Sequence, residues 1–321
     1  MNKEKQKIAI GILAYNVDNY IEKVIDELVN LKLKIFVIND ASIDSTGKKL
    51  KELENIYPIT VLENEKNLGA GESLKKLISY LFDKNYEFLI KVDGDGQFLV
   101  QDVQKILQIY NENDYEYIKS NRFWKDGIIG KIPKKRFFGN LFATLVMQFT
   151  LGTNKLYDPL NGLFGVSLKI HNFIDAKTYP KRYGYPFYIT LSCVINNFKT
   201  YQINNTVIYS EQKSNLNPIR VLLTIIRLCS NFYIQKIRAK KMIGKFQRSA
   251  FLDKLFLLSL LLTLISFSTL TWSIFFERFF LFTELTNLTI TSFLFLFTGI
   301  IFVLAFKEEN GLRKNQIFNE E

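Results

Sequence analysis

Phe88-Leu-Ile-Lys-Val-Asp93-Gly-Asp95-Gly-Gln97 is the stretch on which the reading of this chain turns. A largely apolar run ends in two carboxylates separated by one glycine, the pattern of a buried strand that stops at a polar loop. An Asp-Gly pair also opens hairpins, and spacing alone favours that turn. The residues that follow, Val100–Tyr110, have helical spacing, so the carboxylates sit where a strand hands over to a helix. Two hard oxygen donors at such a point suit Mg²⁺ or Mn²⁺, ions that keep positions open for diphosphate oxygens. An EF-hand is excluded, because its loop would need glycine where Phe98 stands and an acidic ligand where Gln104 stands.

Outward from this stretch, Ile8–Ala14, Ile35–Ile38, Ile59–Leu62 and Tyr117–Ile118 read as further strands. Tyr20–Leu31, Ser45–Ile56 and Ala70–Phe82 have helical spacing between them. The alternation predicts an α/β domain, a mostly parallel sheet with helices on both faces, whose ligands bind beyond the carboxyl ends of the strands. Leu13-Ala14-Tyr15-Asn16 and Asn39-Asp40-Ala41-Ser42 fall at such ends. Asp40, at a strand tip, is placed to accept from a base N–H or a ribose hydroxyl, whereas Ser42, Asp44, Ser45 and Thr46 are expected to cap the next helix. Asn67-Leu-Gly69-Ala-Gly71 opens a helix but lacks the third glycine of a dinucleotide fingerprint and the Lys-Ser/Thr of a P-loop. It predicts a close backbone approach.

The chain has 321 residues, 48% of them hydrophobic, and a formal charge of +11 that is unevenly spread. Between Lys213 and Arg248 stand nine basic residues (Lys213, Arg220, Arg227, Lys236, Arg238, Lys240, Lys241, Lys245 and Arg248) and no acidic one. This block abuts the most apolar part of the chain, which fits a membrane surface better than nucleic acid. Leu255–Phe276 and Leu285–Phe306 are 22 uncharged residues each, and either crosses a hydrocarbon core of about 30 Å. Before them, Ile219–Ile237 mixes Val221, Leu222, Ile225 and Phe232 with Arg220, Arg227 and Lys236, the pattern of a helix lying in the headgroup layer or docked with a basic face in solvent. The loop between the spans carries Glu277, Arg278 and Glu284; the flanks carry the basic block and Lys307, Arg313 and Lys314, so both termini are expected in the cytoplasm. Met1–Lys7 has no signal-peptide core. Cys193 and Cys229 suggest neither a disulfide framework nor zinc, and the sole histidine, His171, has no partner for a Ser-His-Asp triad. The expected organisation is a catalytic domain over 1–215, juxtamembrane helices over 216–250, a transmembrane hairpin over 251–308 and a cytoplasmic tail over 309–321.

The order Ala14-Tyr15-Asn16, Asn39-Asp40-Ala41-Ser42-x-Asp44-x-Thr46, Asn67-x-Gly69-Ala70-Gly71 and Asp93-x-Asp95-Gly96-Gln97 resembles family 2 glycosyltransferases of the GT-A (Rossmann-like) fold. Ser120-Asn121-Arg122, Lys134-Lys135-Arg136 with Asn140, and Asp158-Pro-Leu-Asn161-Gly162-Leu163 extend the likeness to the dolichol-phosphate mannose synthase-like and bacterial polyprenyl-phosphate branch, over about Ile8 to Asn215. The resemblance implies a nucleotide site formed by Ala14, Tyr15, Asn16, Asp40, Asn67, Gly69, Asp93 and Gly94. It implies Asp93, Asp95 and Gln97 around the metal and diphosphate, Arg122 and Arg136 at the acceptor phosphate, and Asp158 near the sugar or acceptor. Leu13, Val17 and Ala41 depart from the usual Pro, Glu and Gly, and Tyr183–Thr190 lacks an acidic residue common in relatives.

The expected reaction moves a sugar from a nucleoside-diphosphate sugar to a polyprenyl phosphate at the cytoplasmic membrane face, the bacterial inner membrane being the expected location. A phosphate acceptor needs no base, since its second pKa is about 6 and its oxygen is anionic at neutral pH. Lys131, Lys134, Lys135 and Arg136, ahead of the apolar Phe137–Leu151, suit a lipid phosphate. Two alternatives stand beside this: transfer to a glycan hydroxyl with Asp158 as base, and a membrane-tethered nucleotide-sugar-binding protein without turnover. A two-helix anchor also leaves room for a homo-oligomer.

Overall fold

A computed structural model describes residues 7–124, 128–129, 132–208, 218–242, 247–276 and 281–320. Lys131, Lys213, Lys245, Glu277 and Arg278 lie outside the described residues, as do the side chains of Lys135, Arg220, Lys240, Lys241, Arg248 and Glu284. The chain forms two compact units, one of residues 1–148, 155–230 and 315–321, the other of 149–154 and 231–314.

The first unit begins with β1 (Ile8–Ala14), α1 (Ile21–Val29), β2 (Lys34–Asn39), α2 (Thr46–Ile56), β3 (Ile59–Glu63), α3 (Ala70–Asp83), β4 (Phe88–Asp93), α4 (Val100–Glu112) and β5 (Tyr117–Asn121). There follow β6 (Ile128–Ile129), α5 (Lys134–Leu151), β7 (Phe164–Ser167), a 3₁₀ turn (Leu168–Phe173), α6 (Tyr185–Ile195), β8 (Thr200–Asn204), β9 (Val207–Ile208) and α7 (Pro218–Met242). After α8 (Gln247–Phe276) and α9 (Leu281–Leu312) comes a last strand, β10 (Ile317–Asn319). The helices form where apolar residues recur on one face: α1 buries Ile21, Val24, Ile25 and Leu28, and α3 buries Leu74, Leu77, Ile78 and Leu81. Each such side chain contributes about 1.5–3 kcal/mol on burial.

The main sheet runs β10-β8-β5-β7-β4-β1-β2-β3, parallel except for β7, which lies antiparallel between β4 and β5. Ile10 and Ile12 of β1, Val37 of β2 and Phe88 and Ile90 of β4 share one continuous core. Placing β1 beside both β2 and β4 brings the carboxyl ends of these strands into one crevice.

Two sequence expectations are corrected. The residues 309–321 do not form a tail: the second apolar helix runs on to Leu312, and β10 then pairs parallel with β8. Glu320 accepts from the Asn204 amide at 2.7 Å and pairs with Lys105, and Lys155 Nζ donates to the Ile317 carbonyl at 2.9 Å. Nor do Ser42, Ser45 and Thr46 cap α2, whose N-cap Ser45 makes no side-chain cap bond. Ser42 Oγ accepts from the Asn16 amide and Thr46 Oγ1 from the Val17 amide, so these hydroxyls tie the β2–α2 loop to the β1–α1 loop; Asp44 closes a local turn on the Thr46 amide.

In the second unit α8 and α9 pack side by side, with Thr263 bonded to Thr298 at 3.0 Å and Ser266 to Thr291 at 2.7 Å. Spans of 24 residues (Ser249–Trp272) and 28 residues (Leu285–Leu312) are long and apolar enough to cross a bilayer. Only 28% and 22% of their most apolar windows are buried, which a core helix of a soluble protein would not leave exposed. Polar groups gather where charges enter the helices: Tyr233 donates to Asp253, which also pairs with Lys236, and Arg313 pairs with Glu309 while Ser249 donates to the same carboxylate.

Candidate active site

A cavity of about 540 Å³ opens at the carboxyl ends of β1, β2 and β4. Ala14, Tyr15, Asn16, Asp40, Asn67, Gly69, Asp93, Gly94 and Asp95 line it, together with Arg136, Arg182 and Tyr183. Asn16 and Ala41 both have positive φ, 53° and 56°, and hold the two loops facing each other. Asp40 is buried, and its carboxylate already accepts from Asn64 Nδ2, the Leu68 amide at 2.8 Å and the Gly69 amide at 2.8 Å. It therefore shapes the 67–69 loop as well as facing the cavity. The neighbouring Asn67 Oδ1 is buried with no protein partner, an acceptor that a ligand N–H or O–H would satisfy.

The turn after β4 is held from both sides. Gly94 N donates to the Leu13 carbonyl at 2.9 Å, and Gln97 N to Asp95 Oδ1 at 3.2 Å. Lys91, fully buried one pleat earlier on the same face, donates to Asp93 Oδ1 and, at 2.6 Å, to the Tyr185 hydroxyl of α6. Burial pulls the Lys91 pKa down, and Asp93 opposes the fall. Burial, reinforced by the Asp93 charge, pushes Asp95 up to about 6. Two adjacent carboxylates that gain from added positive charge fit a hard divalent cation. Among the described residues no group of three or more His, Cys, Asp or Glu could hold a metal, so an ion at Asp93 and Asp95 would need oxygens from outside the protein to complete its shell.

A second cavity, of about 330 Å³, shares Ala70, Asp93, Asp95, Arg136 and Tyr183 with the first and adds Gln97, Arg122, Asn140 and Tyr185. The two cavities thus meet at the carboxylate pair. Asp158 lines neither. Its side chain is fully buried at φ 52°, and both oxygens are taken: Oδ2 accepts from the Arg122 amide, Arg122 Nε and Asn161, Oδ1 from an Arg122 terminal nitrogen and Asn140. Burial raises its pKa, but Arg122 and Lys119 together hold it below the ordinary carboxylate value. Asp158, expected near the sugar or acceptor, is absent from the lining of both cavities, and its saturated, enclosed carboxylate orients Arg122.

Sequence reasoning missed Arg182, Lys91 and the role of Tyr185. Arg182 reaches the first cavity because the Gly71 amide donates to its carbonyl at 3.2 Å and the Glu72 amide to the Lys181 carbonyl at 2.8 Å. A Cβ at Gly71 would lie 1.9 Å from the Pro180 carbonyl, so the close approach read from the glycines is made to this loop. The only sequence signal was the loss of a side chain where two backbones meet.

On the far side of the second cavity α5 exposes Phe137, Phe138, Leu141, Phe142 and Leu145, and α7 exposes Leu222, Leu223 and Ile226 beside Arg227. Asn140, Ala143, Thr144 and Met147 of α5 are buried, so its outer face is apolar as well.

A sheet with this order, with a carboxylate pair after its fourth strand, defines a GT-A type fold. Glucosyl-3-phosphoglycerate synthase of Mycobacterium tuberculosis, solved with Mn²⁺, UDP and glucosyl-3-phosphoglycerate, superposes with a TM-score of 0.55 at 15% identity, covering 70% of this chain and 81% of that one. The chain belongs to glycosyl transferase family 2, whose model matches residues 9–170. It is 25% identical over 190 residues to a UDP-N-acetylglucosamine–dolichyl-phosphate N-acetylglucosaminyltransferase of Methanococcus voltae, covering 55% of this chain and 75% of that one. It is 23% identical over 169 residues to a dolichol-phosphate mannosyltransferase of Pyrococcus furiosus, covering 51% of this chain and 47% of the relative. The match therefore spans between about half and three quarters of the length of these curated relatives.

Proposed function

We propose that this chain transfers a sugar, with inversion and with a divalent metal, from a nucleoside-diphosphate sugar to a polyprenyl phosphate at the cytoplasmic face of a membrane. The observation that carries the reading is the meeting of two cavities at Asp93, Asp95 and Arg136, one sized for a sugar nucleotide and one walled by Arg122 and Arg136. Relatives whose names specify dolichyl-phosphate acceptors support the acceptor class.

In this reading Asp40, Asn67 and the 14–16 loop receive base and ribose, while Asp93, Asp95 and Gln97 hold Mg²⁺ or Mn²⁺. When bound, the ion offsets the charge of the departing diphosphate. Arg122, aimed by Asp158, and Arg136 neutralise and position the acceptor phosphate. One of its anionic oxygens bonds to the anomeric carbon as the bond to the diphosphate breaks on the opposite side, and no proton has to move. The enclosure of Asp158 disfavours the competing hydroxyl acceptor, which requires a base with a free oxygen. The outward apolar face of α5, the mixed face of α7 and the two apolar helices support a lipid acceptor at a membrane surface.

The test is release of nucleoside diphosphate from a panel of sugar nucleotides by detergent-purified protein, with and without Mn²⁺ and polyprenyl phosphate. Release is expected to need both, and to disappear in Asp95→Ala. Donor binding without lipid-dependent release would instead favour a glycan hydroxyl acceptor or a protein without turnover.

A further inference from the structure

Beneath the carboxylate pair lies a buried lysine for which the proposed transfer chemistry has no use. Lys91 is fully buried and lines neither cavity, so it touches neither substrate; it touches Asp93. Strand alternation puts residues 91 and 93 on the same face of β4, and Tyr185, from the start of α6, holds the ammonium from above with its hydroxyl at 2.6 Å and its ring at 5.1 Å. The backbone at Gly162 closes the other flank: a Cβ there would lie 2.2 Å from Asp93 Oδ2 and 3.1 Å from Lys91 Nζ. Asp93 thus has one oxygen already accepting from Lys91 Nζ, while its side chain remains 31% exposed.

Resting on the proposed reading of this site, we propose that Lys91 is a positioning residue that acts as a resident counter-ion for Asp93, competing with the divalent metal so that tight metal capture requires the nucleoside diphosphate. With Lys91 in place, the Asp93–Asp95 pair presents one net negative charge to an arriving dication instead of two. A second positive charge within a few ångströms repels that dication in a partly desolvated site. The diphosphate supplies the missing negative charge and oxygen ligands, so metal and donor bind as a unit. Removing the ammonium leaves both carboxylates committed to the metal alone.

The experiment measures Mn²⁺ binding to the full-length protein in detergent by the loss of the free-ion electron paramagnetic resonance signal, with no nucleotide and with UDP or GDP. Wild type is expected to bind Mn²⁺ weakly alone and much more tightly with the nucleotide it prefers. Lys91→Met, which keeps the length of the side chain, and Lys91→Gln, which keeps a hydrogen-bond donor, should each bind Mn²⁺ alone at least about tenfold more tightly than wild type, with a smaller gain from nucleotide. Lys91→Arg, which keeps the charge, should stay weak. A purely structural lysine would move the melting temperature without moving Mn²⁺ affinity in this direction. Folded neutral variants with unchanged or weaker Mn²⁺ affinity would overturn the inference, as would failure of both to fold, which assigns the charge to folding. Wild-type protein that binds neither Mn²⁺ nor nucleotide would overturn the proposed function as well, whereas metal binding that is intact but indifferent to residue 91 overturns this inference alone.

Discussion

Asp158 and Arg122 show how one residue's task depends on what it touches. Arg122 Nε lies 2.9 Å from Asp158 Oδ2, its side chain only 12% exposed, and the carboxylate it grips is fully enclosed. Breaking a buried, hydrogen-bonded pair from one side strands the other charge and costs about 3–5 kcal/mol. Asp158→Asn is therefore expected to lower stability by that order. If Asp158 works only through Arg122, then Asp158→Asn and Arg122→Lys reduce kcat/KM by similar factors and the double variant loses little more than either. A double-mutant cycle on kcat/KM checks this; additive losses, with kcat far lower in Asp158→Asn, would mark an independent base. The type and order of these residues were legible in the sequence. Their mutual bond spans 36 residues of chain, and only the folded loop reveals that Asp158 faces Arg122 and not solvent.

Among the elements, α4 and β10 carry polar groups whose meaning depends on edge packing. Asp102, in the first turn of α4, is buried and accepts from the Thr206 amide at 3.0 Å. Burial pushes its pKa up to about 6, with Glu320 of the β10 segment adding to the rise and Lys105 opposing it. A carboxyl with a folded pKa above its unfolded value binds more protons in the native state, so stability falls as pH climbs from about 4 to about 6 and then levels off. Asp102→Asn should match wild type near pH 4 and exceed it above pH 6 by up to about 3 kcal/mol, as thermal melts at pH 4, 5 and 8 would register. Of the five strands read from apolar runs, β1, β2, β4 and β5 were legible as runs of buried residues and the half-buried edge strand β3 by its β-branched, apolar composition. β7 and β10 were not: four and three residues carry too little periodicity, and their partners are supplied by distant segments.

At the scale of the whole molecule, β1 and β10 belong to one sheet although two bilayer-length helices separate them in the chain. In the membrane arrangement proposed above, two crossings return the C-terminal strand to the side on which the sheet folds. Single cysteines at exposed Glu65 and Lys314 should accordingly react with an impermeant maleimide only from the cytoplasmic side, while one at position 278 reacts only from outside. The native Cys193 and Cys229 are buried and should contribute little background. Labelling of 65 and 314 from opposite sides would be incompatible with β10 pairing to β8.

By itself the sequence determined the class of fold, the carboxylate pair, the arginines and the two membrane-length helices, because each is written in local periodicity or in a short run of residue types. The tertiary structure alone decided that Tyr185 closes over Lys91, that Asp158 is spent on Arg122, that Arg182 and Tyr183 wall the first cavity and that the last residues complete the sheet. These are contacts between segments tens to more than a hundred residues apart, and local pattern carries no record of which buried charge will meet which partner.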